Sequence, residues 1–459
     1  MSFTKYVFSC LFLLASATTY AGGGDGVTLS GELNNCVQGD SLRIYGFLGS
    51  SLQQVAAIPL TLEKEKYYFN VNITGINKGF YFVGFNPNAC IPMILGAEPQ
   101  MHLTGDCKTF TQQLQITGSL TNKLYNDVNQ RVNTMAQQNN ELMQYFRQIP
   151  MEMAGLDMIA KLQKLDAQKK SYLDSVKGAD PFIGKVLALK TYRSYQYNKR
   201  VGEEEEDYFP RTYFEFVDFR DPDYQFIPQV REEVRTYAAT LARLGLSFKD
   251  RSMHCDRLLK DLDKNSRTYS TILAALIEGF QSVQEQDCFN KYANLYIQDF
   301  ANLNPMYTSQ VQTYQKQIAP LLIGAQAPDI KLATPEGTEF ALSQLKGKVV
   351  MVDFWASWCK PCRKENPKVV AMYNKLKPKG LEILSVSLDQ SKEPWEAAIK
   401  QDNLAWYHVS DLKGWGSAGA KLYGVSSVPY TVIVDKEGKI IDKNLRGARL
   451  ERVIEDALK

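Results

Sequence analysis

Histidine is nearly missing from this chain. Three of its 459 residues carry an imidazole, and His102, His254 and His408 fall in three separate regions. Cysteine is spaced as CxxC once, at Cys359 and Cys362. No second such pair exists to complete a four-ligand zinc site. His254 stands beside Cys255, but two ligands do not fill a tetrahedron. A c-type haem needs histidine directly after the second cysteine, and that residue is Arg363. Neither a metal nor a cofactor is expected. An excess of one charge is lacking too: 53 basic side chains stand against 50 acidic ones, a net +3. That near balance gives no field for gripping nucleic acid, so none is expected as a partner. The acidic run "EEEED" (203–207) reads as a solvated loop. After the N-terminus no apolar run approaches the roughly 20 residues that span a bilayer.

What is present begins with "MSFTK", then "YVFSCLFLLASA", then "TTYAGGGDG". That order matches a secretory signal peptide with cleavage after Ala21. The expected location is outside the cytosol, in a periplasm, with membrane association if the leader is retained. Disulfides persist there. Of eight cysteines, losing Cys10 leaves seven, so at least one is unpaired. "IPMILG" and "MHLTGD" can pair as a hairpin around "AEPQ" (97–100), which would set Cys90 opposite Cys107 for a bridge. Cys255 with Cys288 is the second candidate, leaving Cys36 over.

The length suggests about three domains at roughly 150 residues each. Residues 27–119 hold short apolar or alternating runs separated by Gly, Asn and Pro, the pattern of a small antiparallel β-domain. From 120 to 322 the period becomes helical, as in Leu124, Val128, Val132, Met135, Leu142, Phe146 and Ile149. "ADPFIGKVLALK" opens with Asp180 placed as N-cap and Pro181 at the first helical position. From 323 to 459 a hairpin, a buried strand "VVMVDFWA" and alternating helices and strands point to an α/β domain with a sheet covered on both faces. The chain reads as multi-domain. "GWGSAG" (414–419) fits G-x-G-x-x-G by letter, but it lacks a βαβ unit of its own, so nucleotide binding does not follow.

The CxxC pair follows a buried strand and precedes a helix. Cysteines at a helix N-terminus gain thiolate character from the dipole and the free N–H groups. The thiolate is the attacking species in disulfide exchange. Pro361 fits an early helical turn, where its missing N–H costs little.

"VDFWASWCKPC" is similar to the thioredoxin active-site segment, and the domain resembles the exported TlpA/ResA-type thiol–disulfide oxidoreductases. "PDIKL", "LKGKVVMVDFWASWCKPCRKENP", "SVSLD" and "YGVSSVPYTVIVDKEGKI" fit in order. The resemblance implies a thioredoxin-like fold at the C-terminus, with Cys359 the exposed nucleophile and Cys362 the buried resolving thiol. It implies that Asp353 is the buried acid handling the resolving proton. It makes Pro429 a cis-proline against the dithiol and Glu365 a carboxylate of the ResA-type site. Tyr430 departs from the small polar residue often found after that proline. Trp355, Trp358, Lys360, Pro361 and Val428 are expected to line a substrate groove.

The expected activity is a protein-disulfide reductase acting on client proteins and kept reduced by a membrane thiol donor. The direction rests on Lys360–Pro361 between the cysteines, with no histidine to favour the thiolate, which places the potential nearer thioredoxin's. The alternatives are an oxidase or isomerase, or a partner-binding protein with an accessory redox domain.

Overall fold

The computed structural model describes residues 26–48, 51–148 and 155–459. The expected signal peptide lies outside the described residues, as does Ile149 of the helical pattern. Two compact units form. One reaches to Glu204 and adds Arg211–Glu233 and Asp261–Thr271; the other joins Glu205–Pro210, Val234–Lys260 and Ile272–Lys459. The helical stretch is divided between them. Among the described residues no helix is long and apolar enough to cross a membrane.

In the first unit, strand Val27–Asn34 alternates, with Val27, Leu29 and Leu33 inward. It runs antiparallel to Lys66–Ile73 and parallel to Gln100–Asp106 at the centre of a five-stranded sheet. A four-stranded antiparallel sheet runs in the order Ser51–Pro59, Ser41–Leu48, Gly79–Asn86, Ala89–Leu95. Leu29, Leu33 and Leu103 of one sheet share a core with Ile44, Val83 and Met93 of the other. Downstream, Asp180 caps helix Pro181–Leu189 by accepting from the N–H groups of Phe182 and Ile183, at 2.9 and 3.3 Å.

The parallel pairing overturns the expected Cys90–Cys107 bridge. Ala89–Leu95 pairs with Gly79–Asn86, setting Cys90 opposite Gly84, while Gln100–Asp106 crosses to the other sheet. Asn34 is there level with Asp106, and just beyond them Cys36 and Cys107 form the disulfide, their Cα atoms 5.0 Å apart. Cys90 forms no disulfide, and its thiol donates to the Pro87 carbonyl at 3.2 Å. The bridge spans 71 residues of sequence, and opening a loop of that length costs about 4 kcal/mol. Cys36→Ala is expected to lose that much in a urea melt of the unit. A loss under about 1 kcal/mol would show the bridge to be idle.

Cys255 and Cys288 are not bonded to each other either. Both are fully buried free thiols, on helices Phe248–Leu259 and Gln286–Phe300. Burial pushes both thiols above their ordinary range, which leaves them protonated and inert. The acidic run is part loop and part helix: Glu203 and Glu204 precede helix Glu205–Thr212, and Glu205, Glu206 and Asp207 form its first turn, where the dipole favours negative charge. Glu206 and Asp207 pair with Arg449 at 3.2 and 2.5 Å.

The C-terminal part of the second unit opens with the hairpin Lys331–Ala333 and Glu339–Ala341. Its main sheet runs Tyr407–Val409, Leu381–Ser387, Val349–Trp355, Tyr430–Val434, Ile440–Lys443, the first three parallel and the last two antiparallel. Val349–Trp355 is central and covered on both faces, which is why it reads as an almost unbroken apolar run. Val350, Val352 and Phe354 pack with Leu384, Trp395 and Ala398 on one face. On the other, Val349, Met351 and Ile383 meet Met372, Leu376, Leu450 and Ile454.

Candidate active site

The central strand ends at Trp355, and a short turn leads into helix Lys360–Leu376. Cys359 is the N-cap of that helix, with Pro361 in its first turn. The N–H of Cys362 donates to the Cys359 sulfur at 3.2 Å. A thiolate on Cys359 would therefore meet a backbone donor and the positive end of the dipole. The two cysteines are bonded as a disulfide. Cys359 is 4% and Cys362 2% exposed, so Cys359 is not the exposed sulfur expected: in this oxidised state it packs in the core cluster with Trp355 and Ala356.

The turn before the pair is held from two directions. Asp389 accepts from the Ser357 N–H at 3.0 Å and from its hydroxyl at 2.5 Å, and the Ser387 hydroxyl donates to the same carboxylate at 2.7 Å. Arg363 donates to the Ser357 carbonyl at 3.3 Å and pairs with Asp402 at 2.5 Å. Neither network is visible in the spacing of residues, since Asp389 and Asp402 lie one or two elements away. Only the aspartate closing "SVSLD" hints at the first.

Asp353 lines a cavity of about 30 Å³ together with Cys362, Glu365 and Pro429. Such a space admits a water molecule. Burial raises the Asp353 carboxyl from 3.8 to about 7, against a hydrogen bond from the Ser385 hydroxyl at 3.3 Å that pulls the other way. Ser385 accepts in turn from the Trp406 indole at 2.8 Å. A carboxyl held near neutrality can take and return a proton under working conditions. Glu365 is half-buried and also pairs outward with Lys368 at 3.2 Å. The Val428–Pro429 peptide is cis. The structure thus brings Asp353, Cys362, Glu365 and Pro429 to one place.

Trp355 is not a groove residue. It is 1% exposed and sits in the core, its ring 6.1 Å from that of His408. It closes a strand covered on both faces and packs in the cluster of Val352, Phe354 and Leu388. Burial pushes His408 down to about 4, so it stays neutral. Trp358 is 52% exposed, and its ring lies 6.2 Å from Trp415, itself 49% exposed. Trp415 comes from the glycine-rich "GWGSAG" stretch. Lys360 and Pro361 are exposed and Val428 is half-buried. Tyr430 points inward, and burial first, then the Glu285 and Asp287 carboxylates, push its phenol above its ordinary range. Its bulk faces the helices rather than the groove.

Among the described residues, no group of three or more His, Cys, Asp or Glu could hold a metal ion. Residues 323–443 match the AhpC/TSA family. The chain is similar to the thiol–disulfide oxidoreductase ResA of Bacillus cereus, 34% identical over 148 residues, which cover 32% of this chain and 83% of that protein. It is similar also to ResA of Bacillus subtilis, 34% identical over 133 residues, 29% of this chain and 72% of the relative. Among solved structures, the thioredoxin domain of a thiol–disulfide oxidoreductase from Bacteroides vulgatus is 37% identical and covers 30% of this chain and 98% of its own, at a TM-score of 0.29. The α/β domain is thioredoxin-like, and through it the chain belongs to the AhpC/TSA family as a ResA-type thiol–disulfide oxidoreductase.

Proposed function

We propose that this chain is exported to a cell envelope and there reduces disulfides of client proteins. The observation that carries the reading is the Cys359 sulfur at the helix N-terminus, 3.2 Å from the Cys362 N–H, with Asp353 near neutrality on the cavity behind Cys362. In the reduced protein the Cys359 thiolate attacks a client disulfide, forming a Cys359–client bond and releasing one client thiolate, which takes up a proton. Cys362 passes its proton to Asp353 and attacks the Cys359 sulfur. The client's second sulfur leaves as thiolate and is protonated, and Cys359–Cys362 closes. Two electrons and two protons reach the client. A membrane thiol donor would return two electrons to the pair.

The reducing direction is supported by the neighbourhood of the sulfurs. The buried His408 bonds with the Leu404 carbonyl at 3.1 Å rather than with a cysteine, and Lys360 is a solvated point charge whose pull on a thiolate is screened. A weakly favoured thiolate puts the couple toward thioredoxin's −270 mV rather than the −120 mV of a strong oxidant. Equilibrating the full chain against glutathione is expected to give a potential below about −180 mV. A higher value would assign the site to an oxidase or isomerase.

A further inference from the structure

Residues 444–446 join the helical part of the second unit to the dithiol site. On the inner side, the Asn444 N–H donates to the Thr431 carbonyl at 2.7 Å, and the Thr431 hydroxyl to the Leu445 carbonyl at 3.0 Å. Arg446 donates from Nη2 to the Pro429 carbonyl at 3.3 Å. The same three residues wall the cavity that Cys362, Asp353 and Glu365 share. On the outer side, Asn444 Nδ2 donates to the Ala242 carbonyl at 2.7 Å. Gly245, at φ +70°, lies so close to Arg446 that an added Cβ would stand 3.3 Å from the arginine's own.

This contact is anchored by charges that cannot easily move. Lys443, just before the loop, is 4% exposed, and its ammonium has three N–H groups to satisfy. It meets the Asp287 carboxylate at 2.7 Å, the Gln286 side chain at 2.8 Å and the Leu321 carbonyl at 2.6 Å. Arg251, 1% exposed, pairs with Glu285 at 3.0 Å and donates to the carbonyl of Leu246, the end of the turn that carries Gly245. Separating a buried ion pair leaves an uncompensated charge, so the junction has one geometry rather than several.

We propose that the Ala242–Leu246 turn is a working part of the thiol-exchange site: through Asn444 and Arg446 it positions the Pro429 segment on which an extended client chain docks. This rests on the reading of the protein as a reductase of client disulfides. Arg446 is then a positioning residue. It touches the Pro429 carbonyl, not the sulfurs, so its loss weakens client binding more than the exchange itself.

The test uses the full chain, kept reduced by dithiothreitol, and a disulfide-linked peptide dimer as substrate, with the rate of dithiothreitol alone subtracted. Gly245→Asn keeps a residue that tolerates positive φ but forces Arg446 to yield by a few tenths of an ångström. It is expected to raise KM at least threefold, with a smaller change in kcat. Arg446→Met is expected to do the same, and Arg446→Lys, which still donates to the carbonyl, to recover at least half of the loss. The double variant Gly245→Asn/Arg446→Met should be no worse than either single one, because both act through a single contact. Should Gly245→Asn not fold, Asn444→Ala takes its place in the cycle. A wild-type KM in Gly245→Asn, losses that multiply in the double variant, or a Lys variant no better than Met would each overturn the inference. A wild-type chain that reduces no peptide at all would bring down the reductase reading, and this inference with it.

Discussion

Cys362→Ser is expected to hold client proteins as mixed disulfides, and Cys359→Ser to hold almost none. Cys359 is the helix N-cap, and its sulfur already receives the Cys362 N–H. Cys362 lies inside the first turn beside the cavity. With Cys362 gone, the Cys359–client bond has no neighbouring thiolate to break it and persists until an outside thiol arrives. Non-reducing gels after acid quenching should show roughly tenfold more trapped adduct for Cys362→Ser than for Cys359→Ser. Equal trapping by the two variants would reverse or abolish the assigned order.

Asp353→Asn should make the protein more stable and slower. The folded carboxyl titrates at about 7 rather than 3.8, because it is buried. Below pH 3.8 folded and unfolded chains are both protonated and the aspartate costs nothing. Between 3.8 and about 7 the unfolded chain releases its proton and the folded one keeps it, so stability falls as pH rises. Above about 7 the full penalty remains, roughly 4 kcal/mol at about 1.4 kcal/mol per pH unit. Asparagine escapes it. Urea melts at pH 8 should therefore favour Asp353→Asn by a few kcal/mol, with the gap closing toward pH 4; a gap independent of pH would remove burial as the cause. The release of mixed disulfide should slow about 100-fold near pH 7, the usual worth of a positioned base. That deficit should shrink above about pH 8.5, where a thiol ionises unaided.

The parts of this molecule legible in the sequence are those whose partners are close along the chain. The strand, turn and helix around Cys359 occupy one contiguous stretch, and Asp353, Cys362 and Glu365 lie within it. Pro429 is remote, and only the family resemblance points to it. Strand pairing across a sheet leaves no such local trace. The level of Asn34 with Asp106 depends on a parallel register between strands over 70 residues apart, whereas a local hairpin setting Cys90 opposite Cys107 is the simpler reading of the sequence. Trp355 looks like a groove residue because it neighbours the motif, but it closes a strand covered on both faces and packs in the core. The bond from Asn444 to Ala242 joins residues 202 apart, and nothing near either one announces it.

The Cys36–Cys107 bridge has to survive in the company of its own enzyme. A dithiol exchange site does not distinguish a stranger's disulfide from one in another copy of the same chain, so a structural bridge lasts only if it is the poorer electron acceptor. Folding supplies a margin relative to the same bridge in the unfolded chain. The roughly 4 kcal/mol attached to the 71-residue span corresponds to about 90 mV for a two-electron couple. Cys359 and Cys362, three residues apart, close a ring too small to gain that protection. Folding therefore shields one of these disulfides more than the other, and the difference is written in the spacing of four cysteines.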